Sequence, residues 1–305
     1  MSLLKLLQAG LRALNTCFQQ AQLIRESHAI DYRCRANVLW HLAIALYVKA
    51  GGVPWKLAEP ATGTAYVGLS YALRTRRADE RQYVICCSQI FDSDGAGLEF
   101  LLYETSDLFL EGDDPFLSRQ EMRRVIGRSV QLYQRRNLGR LPEHLVVHKT
   151  TEFKDAETQG VFDACSAIAD VELVQVQQGS PWRGIHVAGA ASIHGYPIER
   201  GTFLQLGGRS GVLWTAGNAP TAVAGGNYFK EGRATPEPLE IIRYAGRVPI
   251  DETATAVLAL TKMDWNNDAL YDRMPVTVTF AQRLARVAKN MPDLTAQPYP
   301  LRLFM

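Results

Sequence analysis

The sequence predicts an α/β fold, and three observations carry that prediction. Three β-rich apolar runs, AYVGLSYAL, QYVICCSQIFD and LEFLLYE, follow one another from residue 65 to residue 104 with polar or Gly-containing turns between them, as in an antiparallel meander. Downstream of them, helical periodicity alternates with short, fully apolar runs. The chain has 305 residues, 47% of them hydrophobic and 21% charged, which supplies a sizeable core and excludes a disordered chain.

The elements follow in order. MSLLKLLQAGLRALNTCF reads as an amphipathic helix rather than a signal peptide or membrane span, because Lys5, Gln8 and Arg12 interrupt its apolar run. From Tyr32 to Ala50 the apolar residues Val38, Leu39, Leu42, Ile44 and Leu46 keep helical spacing, and Gly51-Gly52 stops the helix. Lys49 therefore lies in its last turn. The breaker-rich stretches Val53-Pro54-Trp55 and Glu59 to Gly63 place a linker or domain seam near residue 57. After the meander comes a helix from about Ser118 to Arg136, then HLVVHK (144–149) as a buried strand. A shorter helix around Ala156 to Ala169 leads into the strand VELVQVQ. Beyond residue 180 the glycines, among them Gly207-Gly208 and Gly225-Gly226, suggest hairpins inserted in the core fold. Two helices close the pattern, one from Asp251-Glu252 through Leu260 and one over about Val276 to Lys289. Three strands, helix, strand, helix, strand is the order of an RNase H-like domain, and a fold establishes no activity by itself.

The net charge of +2 conceals an asymmetry. Residues 1–56 carry Lys5, Arg12, Arg25, Arg33, Arg35, Lys49 and Lys56 against Glu26 and Asp31, a net +5, which leaves the rest near −3. A phosphate-binding lobe joined to a near-neutral domain produces such segregation, and so does a solvated helix face. Cys17, Cys34, Cys86, Cys87 and Cys165 show neither zinc-ligand nor disulfide-framework spacing, which fits a reducing, cytoplasmic setting. GGRSG lacks the Lys-Ser/Thr of a P-loop, and His148 and Cys165 have no partner motif.

Several stretches together, LYVKAGGVPWKL, AYVGLSYA, HLVVHKTTEF, ATPEPLEIIRY, LTKMDWNN, PVTVTFAQRLARVAK and the apolar carboxyl end, carry a family likeness. The chain resembles the MID–PIWI half of an Argonaute, in particular the short prokaryotic Argonautes, from about Gln22 to Met305. The resemblance implies a partial, Rossmann-like MID segment over 1–56 and an RNase H-like PIWI domain over 57–305. It also implies a site for a guide strand's 5′-phosphate, built from Gln22, Lys49 and the terminal carboxylate of Met305 acting through Mg²⁺ or another divalent cation. The chemistry is coherent: a Lys gives the phosphate a point charge, a Gln amide donates, and a carboxylate meets a phosphate only across a cation. Gln19 or Gln20 remain alternatives to Gln22. A complete MID lobe places a Rossmann-like half and a Tyr/Lys pair ahead of that Gln, where this sequence offers only Lys5, Gln8 and Arg12. A truncated form, a fragment and a split protein all stay open.

The resemblance further implies that cleavage is lost. Two metals are needed to stabilise the attacking and leaving oxygens of in-line phosphoryl displacement. Ser70 stands where an active PIWI domain has its first Asp, Thr150 (with Thr151 beside it) stands at the second, and Asp264 remains acidic at the fourth. The carboxylates Asp92, Asp94, Glu152, Asp155 and Glu157 are offset from these positions and rebuild a site only in another register. What the family then implies is a binding subunit that is not an enzyme. It holds guide RNA or DNA and a complementary single-stranded target, with Arg283, Arg286 and Lys289 on the nucleic-acid backbone, and no membrane. Its associated effector carries an APAZ region, as in prokaryotic defence complexes. The arginine-rich helix 118–136 fits a duplex, a partner's acidic surface or plain solvation. An active nuclease with displaced ligands and a docking scaffold without guide binding are the competing readings.

Overall fold

A computed structural model describes residues 35–57, 63–77, 80–90, 98–105, 107–112, 114–188, 192–223, 226–228, 235–267, 272–288 and 298–300. Helix α1 (Arg35–Lys49) precedes the meander β1 (Thr64–Arg77), β2 (Glu80–Ile90) and β3 (Leu98–Thr105). A hairpin, β4 (Leu108–Glu111) and β5 (Asp114–Leu117), leads to α2 (Arg119–Arg136), β6 (His144–Lys149), α3 (Asp155–Ala164) and β7 (Asp170–Gln177). The glycine-rich region forms β8 (Ile185–Ala188), β9 (Ser192–Pro197), β10 (Phe203–Gly207), β11 (Ser210–Leu213), β12 (Ala219–Val223) and β13 (Gly226–Tyr228). Then come β14 (Leu239–Ala245), α4 (Ile250–Leu260), α5 (Val276–Ala288) and β15 (Pro298–Pro300). The fold class is α/β, and the expected order of strands and helices is present with the β4–β5 hairpin added to it.

Nine strands form one mixed sheet in the order β10-β11-β14-β7-β6-β1-β2-β3-β15. Only the central trio is parallel, with Gly68 of β1 opposite His148 of β6 and Val147 of β6 opposite Leu173 of β7. Alternation along these strands feeds two cores. Tyr66, Val146 and Val174 join α4 and α5 on one face, while Val67, Val147 and Leu173 join α2 and α3 on the other. Burial on both faces explains why HLVVHK and VELVQVQ read as nearly continuous apolar runs.

Helix α1 ends as its glycines predict. Gly51 has φ +93°, its N–H donates to Val48 O (2.9 Å), and Gly52 N–H donates to Tyr47 O (2.9 Å), which together make a Schellman cap. The expected seam near residue 57 is a packed junction. Trp55 Nε1 donates to Lys262 O (2.7 Å), Trp265 Nε1 donates to Trp55 O (3.2 Å), and Val48 is buried in the α4–α5 core. Helix α2 starts at Ser118, whose Oγ accepts from Glu121 N (3.1 Å). Gly160 of α3 allows close helix contact, since a Cβ there would lie 2.4 Å from Arg119 O.

Three expectations change. The helix expected to reach Ala169 ends at Ala164, where Cys165 is its C-cap. The glycine-rich hairpins are not all insertions: β10 and β11 extend the main sheet through β14, whereas β8–β9 and β12–β13 are separate two-stranded pieces. Strand β15 was not expected from a segment containing Pro298 and Pro300, yet it pairs with β3 at the sheet edge, where a missing N–H is tolerated.

Candidate functional site

The carboxyl ends of the parallel strands are where an open α/β sheet presents ligand-binding groups. Ser70 lies on β1 and Thr150 follows β6 directly. Gly68 opposite His148 is the last pair of the β1–β6 register, so Ser70 lies two residues further along β1 and Thr150 just past the end of β6. Ser70 is buried on the α5 side of the sheet, and Thr150 is half-buried, its carbonyl accepting from Gln175 Nε2 (3.2 Å).

Asp264 is held differently. It is 4% exposed in the turn after α4, where its Oδ2 accepts from Arg283 Nη1 (2.8 Å) and its Oδ1 from Asn266 N (3.0 Å). Burial raises its carboxyl above the usual range, and the Arg283 charge pulls it back. Arg283 also approaches Asp272 (3.9 Å) and stacks over Phe280 (5.6 Å), while Arg286 is exposed one turn further along α5. Gln22, Met305, Lys289, Asp92 and Asp94 lie outside the described residues. Lys49 is half-buried in the last turn of α1, as expected from the glycine stop.

The alternative carboxylates beside Thr150 separate by environment. Glu157 is fully buried. It accepts from Lys149 Nζ (2.5 Å), Leu117 N (3.0 Å) and Lys154 N (3.2 Å), so its oxygens serve the fold. Lys149 is equally buried, enclosed by the rings of Phe116 (4.8 Å), Phe153 (5.3 Å) and Tyr71 (5.6 Å), and burial lowers its pKa against the pull of Glu157. Asp155 is exposed in the first turn of α3, and exposed Glu152 pairs with Lys154, which also holds Glu111 of the β4–β5 hairpin. Glu111, Asp114, Glu152, Thr150 and Tyr244 line a cleft of about 400 Å³ on the α3 side of the strand ends. Gln175 forms part of its floor and receives a hydrogen bond from Tyr244 Oη (2.9 Å). Sequence reasoning missed Lys149 and Gln175. The available signal was polarity inside otherwise apolar strands.

His148, two residues before Thr150, is fully buried, and its Nδ1 lies 2.9 Å from Thr277 Oγ1 of α5. Burial pushes its pKa down to about 4, so the imidazole is neutral near pH 7. Cys165 is buried too, and its thiol is pushed up to about 12, which leaves it unreactive. Among the described residues, no group of three or more His, Cys, Asp or Glu is arranged to hold a metal ion, and no helix is long and apolar enough to cross a membrane.

The arrangement defines a sheet-end site on an Argonaute-like α/β fold. The structure of the Clostridium butyricum Argonaute bound to a guide DNA and a 19-mer target DNA superposes with a TM-score of 0.65 at 19% identity, covering 86% of this chain and 32% of that one. A crystal structure of the Aquifex aeolicus Argonaute gives 0.61 at 18% identity, covering 93% and 39%, and the same protein with externally bound siRNA gives 0.60 at 19%, covering 88% and 34%. The chain thus spans between 32% and 39% of the length of these Argonautes. No family profile matches the sequence, and no curated protein matches it.

Proposed function

We propose that this chain is a guide-dependent nucleic-acid-binding subunit of a prokaryotic Argonaute defence system. It holds a 5′-phosphorylated guide and a complementary single-stranded target without cutting the target, and it signals in the cytoplasm to an associated effector carrying an APAZ region. Ser70 and Thr150, at the positions where the resemblance expects acids, support the non-cleaving part of this reading. Both positions carry neutral hydroxyls, and hydroxyls do not neutralise a pair of dications. Asp264, the remaining acid of the set, has both oxygens engaged by Arg283 and Asn266.

Guide binding is supported by the fold likeness, which includes an Argonaute bound to guide and target DNA. Lys49 stands at the carboxyl end of α1, ready to offer a point charge to a phosphate. Gln22 and the Met305 carboxylate would complete the phosphate site, with Mg²⁺ or another divalent cation joining two sets of hard oxygen donors. Pairing between guide and target would supply sequence recognition, while Arg283, Arg286 and Lys289 follow the backbone.

Binding of 5′-phosphorylated and 5′-hydroxyl guides tests the reading. The phosphorylated guide binds more tightly, Lys49→Ala removes most of the difference, and affinity falls with salt. Equal affinity for both guides would refute the phosphate site. A specific cut in a complementary target, with Mg²⁺ or Mn²⁺ present, would replace the non-cleaving reading with an active nuclease.

A further inference from the structure

Helix α2 carries six arginines and one glutamate, a net +5 in a chain whose total is only +2. The structure divides five of these arginines into two groups, and the sixth, Arg123, is exposed off the rail, where its charge helps to lower the Asp163 carboxyl of α3. Arg119 and Arg136 brace the fold: Arg119 makes a bidentate pair with Asp163 of α3 (Nε to Oδ2 2.6 Å, Nη2 to Oδ1 2.9 Å), and Arg136 pairs with Glu99 of β3. Arg124, Arg128 and Arg135, with Gln131 between them, are exposed and spaced i, i+4, i+7 and i+11. That spacing confines them to a narrow arc of about 60°, opposite the buried stripe of Met122, Val125, Ile126 and Tyr133. They form a straight rail roughly 16 Å long with donors about 6 Å apart.

The position of the rail decides what it can serve. Helix α2 packs on one face of the nine-stranded sheet, with Val67, Leu69 and Val147 beneath it, whereas α5, which carries Arg283 and Arg286, packs on the other with Tyr66 and Val146. The layer of β1 and β6 separates the two basic surfaces, so the rail is not a continuation of the α5 surface. We infer that the outer face of α2 is a second, sequence-neutral track for the phosphate backbone of nucleic acid lying outside the guided duplex. Guanidinium groups suit it because they meet phosphate oxygens in bidentate fashion, and a rail of this length spans about five nucleotides of one strand of a duplex. Glu121, which pairs with Arg124 from one turn back, orients that guanidinium without cancelling the charge of the stripe.

The probe is a blunt DNA duplex with 5′-hydroxyl ends, which offers nothing to a guide-phosphate site. The wild-type chain binds it, with an affinity that falls steeply with salt. The triple variant Arg124→Glu, Arg128→Glu, Arg135→Glu binds at least tenfold more weakly, with a salt slope shallower by about two to three units. It keeps the wild-type melting temperature and the wild-type preference for 5′-phosphorylated guides. The triple Lys variant at the same positions retains most of the duplex affinity, which separates loss of charge from loss of fold. A charge-reversed variant with wild-type affinity and slope, or a wild-type chain that ignores the duplex and takes an acidic protein on this face instead, overturns the inference.

Discussion

Arg283 Nη1 donates to Asp264 Oδ2 across 2.8 Å, joining the middle of α5 to the turn after α4. The carboxylate is 3% exposed at its side chain and the guanidinium 50% exposed, so the pair lies at the rim of the core. Removing Arg283 therefore strands a buried charge, while the exposed half of the pair contributes little through Coulomb attraction. Arg283→Met is expected to lower stability by about 1 to 3 kcal/mol in urea unfolding, and Asp264→Asn by less, because Asn still accepts a hydrogen bond. If Arg283→Met unfolds at the wild-type urea midpoint, the pair is not holding α5 to the α4 turn.

The Lys149–Glu157 pair should be more sensitive. Both groups are fully buried, and Glu157 also satisfies Leu117 N and Lys154 N. Lys149→Met or Glu157→Leu alone should cost on the order of 3 to 5 kcal/mol. A double-mutant cycle should show strong coupling, with the Lys149→Met, Glu157→Leu double variant less destabilised than the sum of the singles. Additive effects would show that the two charges do not depend on each other.

His148 makes stability depend on pH. Its folded pKa is lowered to about 4, mainly by burial, so the unfolded chain takes up a proton that the folded chain refuses. The stabilisation is intact above the ordinary imidazole pKa of about 6.5 and is lost as pH falls from there toward 4. The loss is on the order of 3 kcal/mol. Chemical denaturation at stepped pH should show this slope in the wild type and a shallower one in His148→Gln. Equal slopes would assign the acid sensitivity to other groups.

Ser70 and Thr150 can be tested as a pair of positions. The double variant Ser70→Asp, Thr150→Asp puts carboxylates on β1 and just past the end of β6, where the resemblance expects two acids that share metal. Without divalent metal their repulsion and burial should lower the melting temperature by several degrees. Mn²⁺ should restore much of it, an effect absent in the wild type. No Mn²⁺ response in a folded double variant would mean that the two side chains do not converge.

Patterns of short range were legible in the sequence. The stop of α1 at Gly51-Gly52, the limits of β6 and β7 and the order of strands and helices follow from periodicity and turn chemistry, which neighbouring residues dictate. Ser70, Thr150 and Lys49 were singled out by the family resemblance, and the last-turn position of Lys49 follows from the glycine stop as well. Partnership between distant residues was not legible. Nothing local in KMDWNN shows that Asp264 belongs to Arg283, and nothing in the arginine-rich helix shows that Arg119 and Arg136 are braces while Arg124, Arg128 and Arg135 form an outer rail. Similarly, β15 is a strand because β3 offers it an edge, against the preference of its own prolines.

By itself, then, the sequence determined the α/β class and the alternation of elements, since these depend on residue identity and local spacing. Only the tertiary structure decided which charges face one another. Parallel pairing sets Gly68 opposite His148, 80 positions apart in the sequence. The two sheet faces divide the basic residues between opposite sides of the molecule, and burial turns Lys149, Glu157 and His148 from candidate chemistry into determinants of stability.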